Sequence, residues 1–306
     1  MKFFVIADNG IGDSIMMLPA LRALAMEVSS EIKILSNPRY FDNVLYEFTK
    51  KSILLNDYNN DNQHILTCIE ETDIVVIYST WDIVNQLGIK PFLKDKIVFG
   101  YFSEYCTNLI EYDHRNMIDQ YFSVVMFFNK AIDVNRYSYP LVLPDSSKVN
   151  ASALYSAFSP GTLLIGIHTH TREEKMVSAD YFVEVIKIVK EIYPQSILIV
   201  VDPVDTELSV MLDNNTFVNL QGLDISIVMQ FFQYISLLIC IDSCILHAAD
   251  LIKLPIISFF PATSVNNWGP KYSRSLVIDG RNLSIKEIRS RGCEITSFLK
   301  SSLADK

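Results

Sequence analysis

Three loops of this sequence carry side chains suited to handling a polar substrate. The first reads Asn9-Gly10-Ile11-Gly12-Asp13-Ser14, follows the apolar run Phe3 to Ala7, and leads into Pro19-Ala20-Leu21-Arg22-Ala23-Leu24. The chain has only 10 glycines, yet two fall here within three positions, beside a carboxylate. At a strand end Asp13 has two readings. It is the cap of the next helix, or a general base that takes a proton from a hydroxyl within hydrogen-bond reach. A helix begun at Ser14 would hold Pro19 in its interior, where the ring removes a backbone bond and meets the carbonyl of Ile15. A kink or an irregular first turn is therefore predicted. As a dinucleotide fingerprint the stretch fails, because the third glycine position is Ile15.

The second loop, Thr169-His170-Thr171-Arg172-Glu173-Glu174-Lys175, follows the apolar run Leu163 to His168. Hydroxyls at Thr169 and Thr171, the cations Arg172 and Lys175, and the open amides of the next helix suit a diphosphate. Glu173 and Glu174 suit a merely solvated loop equally well. The third loop places Asp242-Ser243-Cys244 directly after Leu237 to Ile241 and before a helix carrying His247. There a carboxylate accepts from sugar hydroxyls and helix amides donate to phosphate oxygens. The following stretch, Phe259-Phe260-Pro261-Ala262-Thr263 and on through Trp268 to Tyr272, reads as a wrap for a base or sugar, or as a lid. His168 with His170, or Cys240 with Cys244, supplies too few ligands for a metal site.

The elements that must position these loops alternate between strand-sized apolar runs and amphipathic stretches, the pattern of parallel βα units. Strands are predicted at Lys2–Asp8, Glu31–Ser36, Ser52–Asn56, Asp73–Tyr78 and Lys96–Phe102, with a long helix over Arg115–Ile132 closing the first half. Tyr139 to Pro160, with three prolines and five serines, reads as an irregular connection between domains. The second half restarts with strands at Leu163–His168, Ser196–Val201, Phe217–Leu220, Leu237–Ile241, Pro255–Phe260 and Ser275–Ile278. Its helices are predicted over Ala179–Ile192, Ile225–Tyr234, Ile245–Ile252 and from about Ser284. Ligands of such sheets bind at the carboxyl ends of the strands. All three loops lie there.

A chain of 306 residues, half of them hydrophobic and with 18 Phe and 15 Tyr, has material for two cores. Its net charge of −9, from 35 acidic and 26 basic residues, gives no footprint for nucleic acid. The first apolar run is too short for a signal sequence or a membrane span, which points to a cytoplasmic protein. The five scattered cysteines read as reduced thiols.

With the loops in place the sequence resembles glycosyltransferase family 9, the bacterial heptosyltransferases of the lipopolysaccharide inner core. The family's opening motif, GD followed by PALRAL, is matched by Gly12-Asp13 and Pro19 to Leu24. Its late DTGxxHLAA motif is similar to Asp242-Ser243-Cys244-Ile245-Leu246-His247-Ala248-Ala249, and its GPT to Pro261-Ala262-Thr263. Gly269-Pro270 matches the end of that region, and Lys175 the family's central lysine. Cys244 stands where the family has glycine, and His168-Thr169-His170 where it has HPG.

The resemblance implies an α/β protein of GT-B fold, two Rossmann-like parallel-sheet domains facing a central cleft. It implies an acceptor domain over residues 1–145 and a nucleotide-sugar domain over 146–306, with a last helix free to return to the first. The implied activity is inverting transfer of a sugar, heptose from ADP-heptose or a related nucleotide sugar, to a bacterial surface-glycan or lipopolysaccharide-core acceptor, without cofactor or metal. Asp13 is then the base, beside Gly12 on the acceptor-side loop. Thr171, Lys175, Asp242, Ser243, Cys244, His247 and Thr263 face the donor. Two other readings are a nucleotide-sugar-binding partner subunit without turnover and a nucleotide-sugar epimerase. The acceptor suggests peripheral contact with the inner membrane, for which Arg39, Lys50 and Lys51 are candidates or simply solvated surface.

Overall fold

The computed structural model describes residues 1–29, 31–54, 62–212, 217–280 and 284–304. It divides into two compact units, Met1–Pro144 and Asp145–Lys306. In the first, strands β1 (Phe3–Ile6), β2 (Ile32–Ser36), β3 (Ser52–Leu54), β4 (Ile74–Ile77), β5 (Ile97–Gly100) and β6 (Asn108–Leu109) form one parallel sheet in the order β3-β2-β1-β4-β5-β6. β1 and β4 are buried at every residue, as expected for strands covered on both faces. Of the predicted strand Ser52–Asn56, residues 55 and 56 lie outside the described residues. β6 is two residues long and gives no alternation to read.

The second unit repeats the arrangement with β7 (Leu164–His168), β8 (Ile197–Val200), β9 (Phe217–Asn219), β10 (Leu237–Ile241), β11 (Ile256–Phe260) and β12 (Ser275–Asp279), in the order β12-β11-β10-β7-β8-β9. All pairings are again parallel. The helix Ala179–Ile192 buries Ala179, Phe182, Val185, Ile186 and Val189, the spacing of one helical face. It packs on the same core as Ile257 and Phe259. The last helical stretch comes in two pieces, Ile285–Ser290 and Gly292–Ser302, and both pack on Ala179–Ile192 of their own unit.

The connection Tyr139–Pro160 is not irregular throughout. A helix spans Asp145–Tyr155, packs on the helix Ile225–Phe231, and buries Ser147 and Ala151. The Ser147 and Ser226 hydroxyls lie 2.7 Å apart. Tyr155 stacks on Tyr234 with ring centres 4.2 Å apart. The serines that suggested a loop are spent on helix packing and on the solvated face.

On the near side of that connection, Arg22 is a structural anchor. Its side chain is 1% exposed and pairs with Glu47 at 2.7 Å. The same guanidinium donates to the backbone carbonyls of Tyr137, Tyr139 and Pro140, and stacks over the Tyr139 ring at 3.7 Å.

Candidate active site

In a doubly wound sheet the loops part where the connections from two neighbouring parallel strands lead off toward opposite edges of the sheet. In the first unit that point lies between β1 and β4, in the second between β7 and β10. The three loops singled out in the sequence leave three of these four strands: β1, β7 and β10.

At the first switch point, Asn9 and the residues after β4 are laced together. The Asn9 amide donates to the Tyr78 carbonyl at 2.9 Å, and Ser79 and Trp81 both donate to the Asp8 carbonyl. Burial raises the Asp8 carboxyl above its usual range, against a hydrogen bond with the Asn37 backbone. The helix after this loop starts at Ile11 and not at Ser14, with Gly10 at the cap position and no side-chain cap. Asp13 is therefore not the cap. It lies in the first turn, where a negative charge suits the helix dipole. The helix runs through Pro19 to Ala23 and widens into a π-helical turn at Leu24–Val28, so the proline does not end it.

The Asp13 carboxylate accepts a hydrogen bond from the Tyr121 hydroxyl at 2.9 Å. Tyr121 belongs to the helix Met117–Phe128 and is fully buried. Its own carbonyl accepts from the Tyr78 hydroxyl at 2.9 Å, and the two rings meet edge to face. Gly12 precedes Asp13 in the same first turn.

In the second unit the donor candidates gather around Asp242, which is 1% exposed at the end of β10. The Lys175 ammonium lies 2.8 Å from Asp242 Oδ2. The Thr263 hydroxyl donates to the same oxygen, and Thr171 donates to the Asp242 carbonyl at 3.2 Å. His247 Nε2 stands 3.9 Å from Asp242 Oδ1. The His247 ring neighbours Trp268, with centres 6.4 Å apart. Four of the other six donor candidates thus touch Asp242 or face it. Ser243 and Cys244 follow it in the chain, Ser243 at the cap position and Cys244 as first residue of the helix Cys244–Leu251.

Two oxygens here are buried without a hydrogen-bond partner, Asp242 Oδ1 and Ser243 Oγ. Buried polar groups are normally satisfied, and each exception calls for an explanation. Burial pushes the Cys244 thiol up to about 11, so it is a neutral group beside the helix amides and no thiolate at ordinary pH.

Sequence reasoning missed the residues that hold these loops. Asp202, just past β8, accepts from the backbone N–H groups of Thr169 and His170 at 2.7 and 2.9 Å and from the Thr169 hydroxyl at 2.7 Å. His168 Nδ1 lies 3.0 Å from the same carboxylate. Burial acts to raise Asp202, but these partners outweigh it and its pKa is lowered. Asp250 takes the backbone N–H groups of Lys271, Tyr272 and Ser273 and so fixes the chain after Gly269-Pro270. Gly269 is needed for closeness: a Cβ there would come 2.5 Å from the Val265 carbonyl oxygen. A carboxylate placed just after an apolar strand was the available signal for Asp202. Asp250 offered none, because it reads as an ordinary helix residue.

All five cysteines are free thiols. Among the described residues no helix is long and apolar enough to cross a membrane.

Residues 94–297 match the model of glycosyltransferase family 9 (heptosyltransferase). No curated protein sequence matches the chain. Among solved structures, the chain is similar to the family 9 glycosyl transferase from Veillonella parvula, at 17% identity over 100% of this chain and 98% of that one, with a TM-score of 0.76. It is also similar to ADP-heptose lipopolysaccharide heptosyltransferase II from E. coli, at 14% identity, 99% coverage of both chains and a TM-score of 0.73. E. coli heptosyltransferase WaaC with ADP aligns at 13% identity over 96% of this chain and 100% of that one, TM-score 0.63. These identities speak to fold, the GT-B fold with its two Rossmann-like sheets. The family match extends from the C-terminal part of the first unit through most of the second, and on that match the chain belongs to glycosyltransferase family 9.

Proposed function

We propose that the protein transfers a sugar, with inversion, from a nucleotide sugar to a hydroxyl of a bacterial surface-glycan or lipopolysaccharide-core acceptor. ADP-heptose or a related nucleotide sugar is the donor. The second unit takes the donor and the first unit the acceptor. The observation that carries this reading is the Asp242 corner, where a carboxylate oxygen and a serine hydroxyl are buried without partners beside a lysine and the start of a helix. An orphaned carboxylate oxygen asks for a donor such as a sugar hydroxyl. The Lys175 ammonium has three protons and gives one to Asp242, which leaves it suited to a diphosphate oxygen as well.

In the proposed reaction Asp13 removes the proton of the acceptor hydroxyl. The freed oxygen pair attacks the anomeric carbon from the face opposite the diphosphate, and the bond from that carbon to the leaving oxygen breaks. The charge gathering on the diphosphate meets Lys175 and the backbone N–H groups around Ser243 and Cys244. Asp242 and His247 hold sugar hydroxyls, and Thr171, Ser243 and Thr263 support sugar or phosphate. The chemistry needs neither a metal nor an organic cofactor, since these groups supply both the base and the counter-charge. The protein works at the cytoplasmic face of the membrane, and co-sedimentation with anionic vesicles tests its contact there.

A thermal-shift screen of nucleotide sugars, followed by mass spectrometry of products with and without a glycan acceptor, tests the proposal. The expected result is a raised melting temperature with an ADP-sugar and a product one sugar heavier. General-base catalysis is typically worth roughly 100- to 10,000-fold, and Asp13→Asn should lose about that while keeping donor binding. Transfer by that variant at the parent rate would remove Asp13 from the role. Donor binding with no transfer across a panel of acceptors would indicate a binding subunit, and isomerised sugar without acceptor an epimerase.

A further inference from the structure

We infer that Tyr121 is the positioning residue of the Asp13 carboxylate: its buried hydroxyl fixes Oδ1 and sets the basicity of the group. The inference rests on the reading of Asp13 as general base. Three observations support it. The Tyr121 hydroxyl donates to Asp13 Oδ1 at 2.9 Å across 108 positions of sequence. The donor is itself held on both sides: Tyr121 is fully buried, its ring lies edge to face on Tyr78, and its carbonyl takes the Tyr78 hydroxyl. A phenol so packed has one place to put its proton.

The third observation is a contrast. Tyr101, just past β5, also faces this carboxylate, and its hydroxyl is buried without a hydrogen-bond partner. Two phenols thus face Asp13, that of Tyr121 from the helix Met117–Phe128 and that of Tyr101 from the β5 loop. Tyr78 lies behind Tyr121, and Tyr112 packs edge to face on Tyr101. Burial first, and the Asp13 charge second, push both Tyr121 and Tyr101 well above the usual phenol range. Tyr121 therefore stays a donor at every working pH. A hydrogen bond given to the charged form of a carboxylate lowers its pKa. It also stops the group turning, which a base aimed at one hydroxyl requires.

The two phenols make a matched pair of variants, since each phenylalanine removes one hydroxyl beside the same carboxylate. With aspartate labelled at the side-chain carboxyl carbon, NMR follows the titration of Asp13, assigned by its loss in Asp13→Asn. Tyr121→Phe should raise the midpoint by about one pH unit, and Tyr101→Phe should leave it in place. A fluorotyrosine at position 121, a stronger donor, should lower it, which covers the case in which Tyr121→Phe does not fold. An unmoved midpoint in Tyr121→Phe, or equal movement in both phenylalanine variants, would overturn the inference. This readout needs no substrate, so it fails or succeeds independently of the Asp13→Asn transfer assay. Where transfer is measured, Tyr121→Phe should lose roughly 10- to 100-fold in kcat, the range of one hydrogen bond to a charged group, with KM unchanged.

Discussion

The Lys175 ammonium and the Asp242 carboxylate meet at 2.8 Å, one 21% exposed and the other 1%. The pair joins the loop after β7 to the end of β10, the two sides of the second switch point. Asp242 needs the lysine, because a carboxylate so enclosed is costly without a countercharge. On the proposed function the lysine, held in turn by Asp242, is the cation offered to the diphosphate.

Replacing Lys175 by Met should therefore act twice. The second unit should lose about 3 kcal/mol or more, the typical cost of removing one partner of a buried pair. Affinity for a nucleoside diphosphate should fall by tenfold or more, a charge-assisted hydrogen bond being worth roughly 1.5–3 kcal/mol. Denaturant melts and calorimetry with ADP separate the two effects. Unchanged ADP affinity in a folded variant would count against a phosphate role for Lys175.

Asp202 should make the second unit sensitive to acid. Its pKa is lowered in the folded state, so its contribution is fully present above the unfolded carboxylate value of about 3.9 and is lost as pH falls through the lower folded value. In this window the parent should lose stability more steeply than Asp202→Asn. Urea melts at pH 5, 4 and 3 measure the two slopes; parallel slopes would show that the clamp on Thr169 and His170 carries no such linkage.

Arg22→Leu should destabilise the first unit by about 3–5 kcal/mol, since Glu47, 15% exposed, is left without its cation. Three backbone carbonyls lose a donor at the same time. Unfolding of an isolated Met1–Pro144 fragment followed by circular dichroism, if that fragment folds, or of the full chain otherwise, gives the number. A loss within 0.5 kcal/mol would mean that water replaces the guanidinium at little cost.

The cysteines should label in order of exposure. Cys293 is exposed and should react first with iodoacetamide at pH 8, while buried Cys68 and Cys240 should resist in the folded protein, as should half-buried Cys244, whose thiol is pushed up to about 11. Peptide mass spectrometry after short labelling reads the order. Early modification of Cys244 would mean that the helix start opens to solvent.

The strands could be read because parallel sheets covered on both faces use uninterrupted apolar runs, as in Phe3–Ile6 and Leu237–Ile241. The three loops could be read because their polar residues follow such runs directly. Helix boundaries were harder. The opening helix starts three residues earlier than Ser14, because Gly10 takes the cap position and Gly12 is absorbed into the first turn. The serines of Asp145–Tyr155 look like loop chemistry and are helical because Ser147 and Ala151 find a packing partner in Ile225–Phe231. Tyr121 was invisible for a different reason. Its place in a helix pattern says "core", and only the fold carries its hydroxyl to Asp13.

The two switch points differ in how their polar groups are satisfied. After β1 and β4, Asn9, Ser79 and Trp81 bond to neighbouring backbone carbonyls. After β10, Asp242 Oδ1 and Ser243 Oγ have no such partner. On the proposed function a nucleotide sugar would bond to these two oxygens, and its binding would then add to the stability of the second unit. Heating the protein at rising ADP-sugar concentration should move the melting of the second unit, followed by hydrogen exchange at β7 and β10, while exchange at β1 and β4 keeps its own temperature.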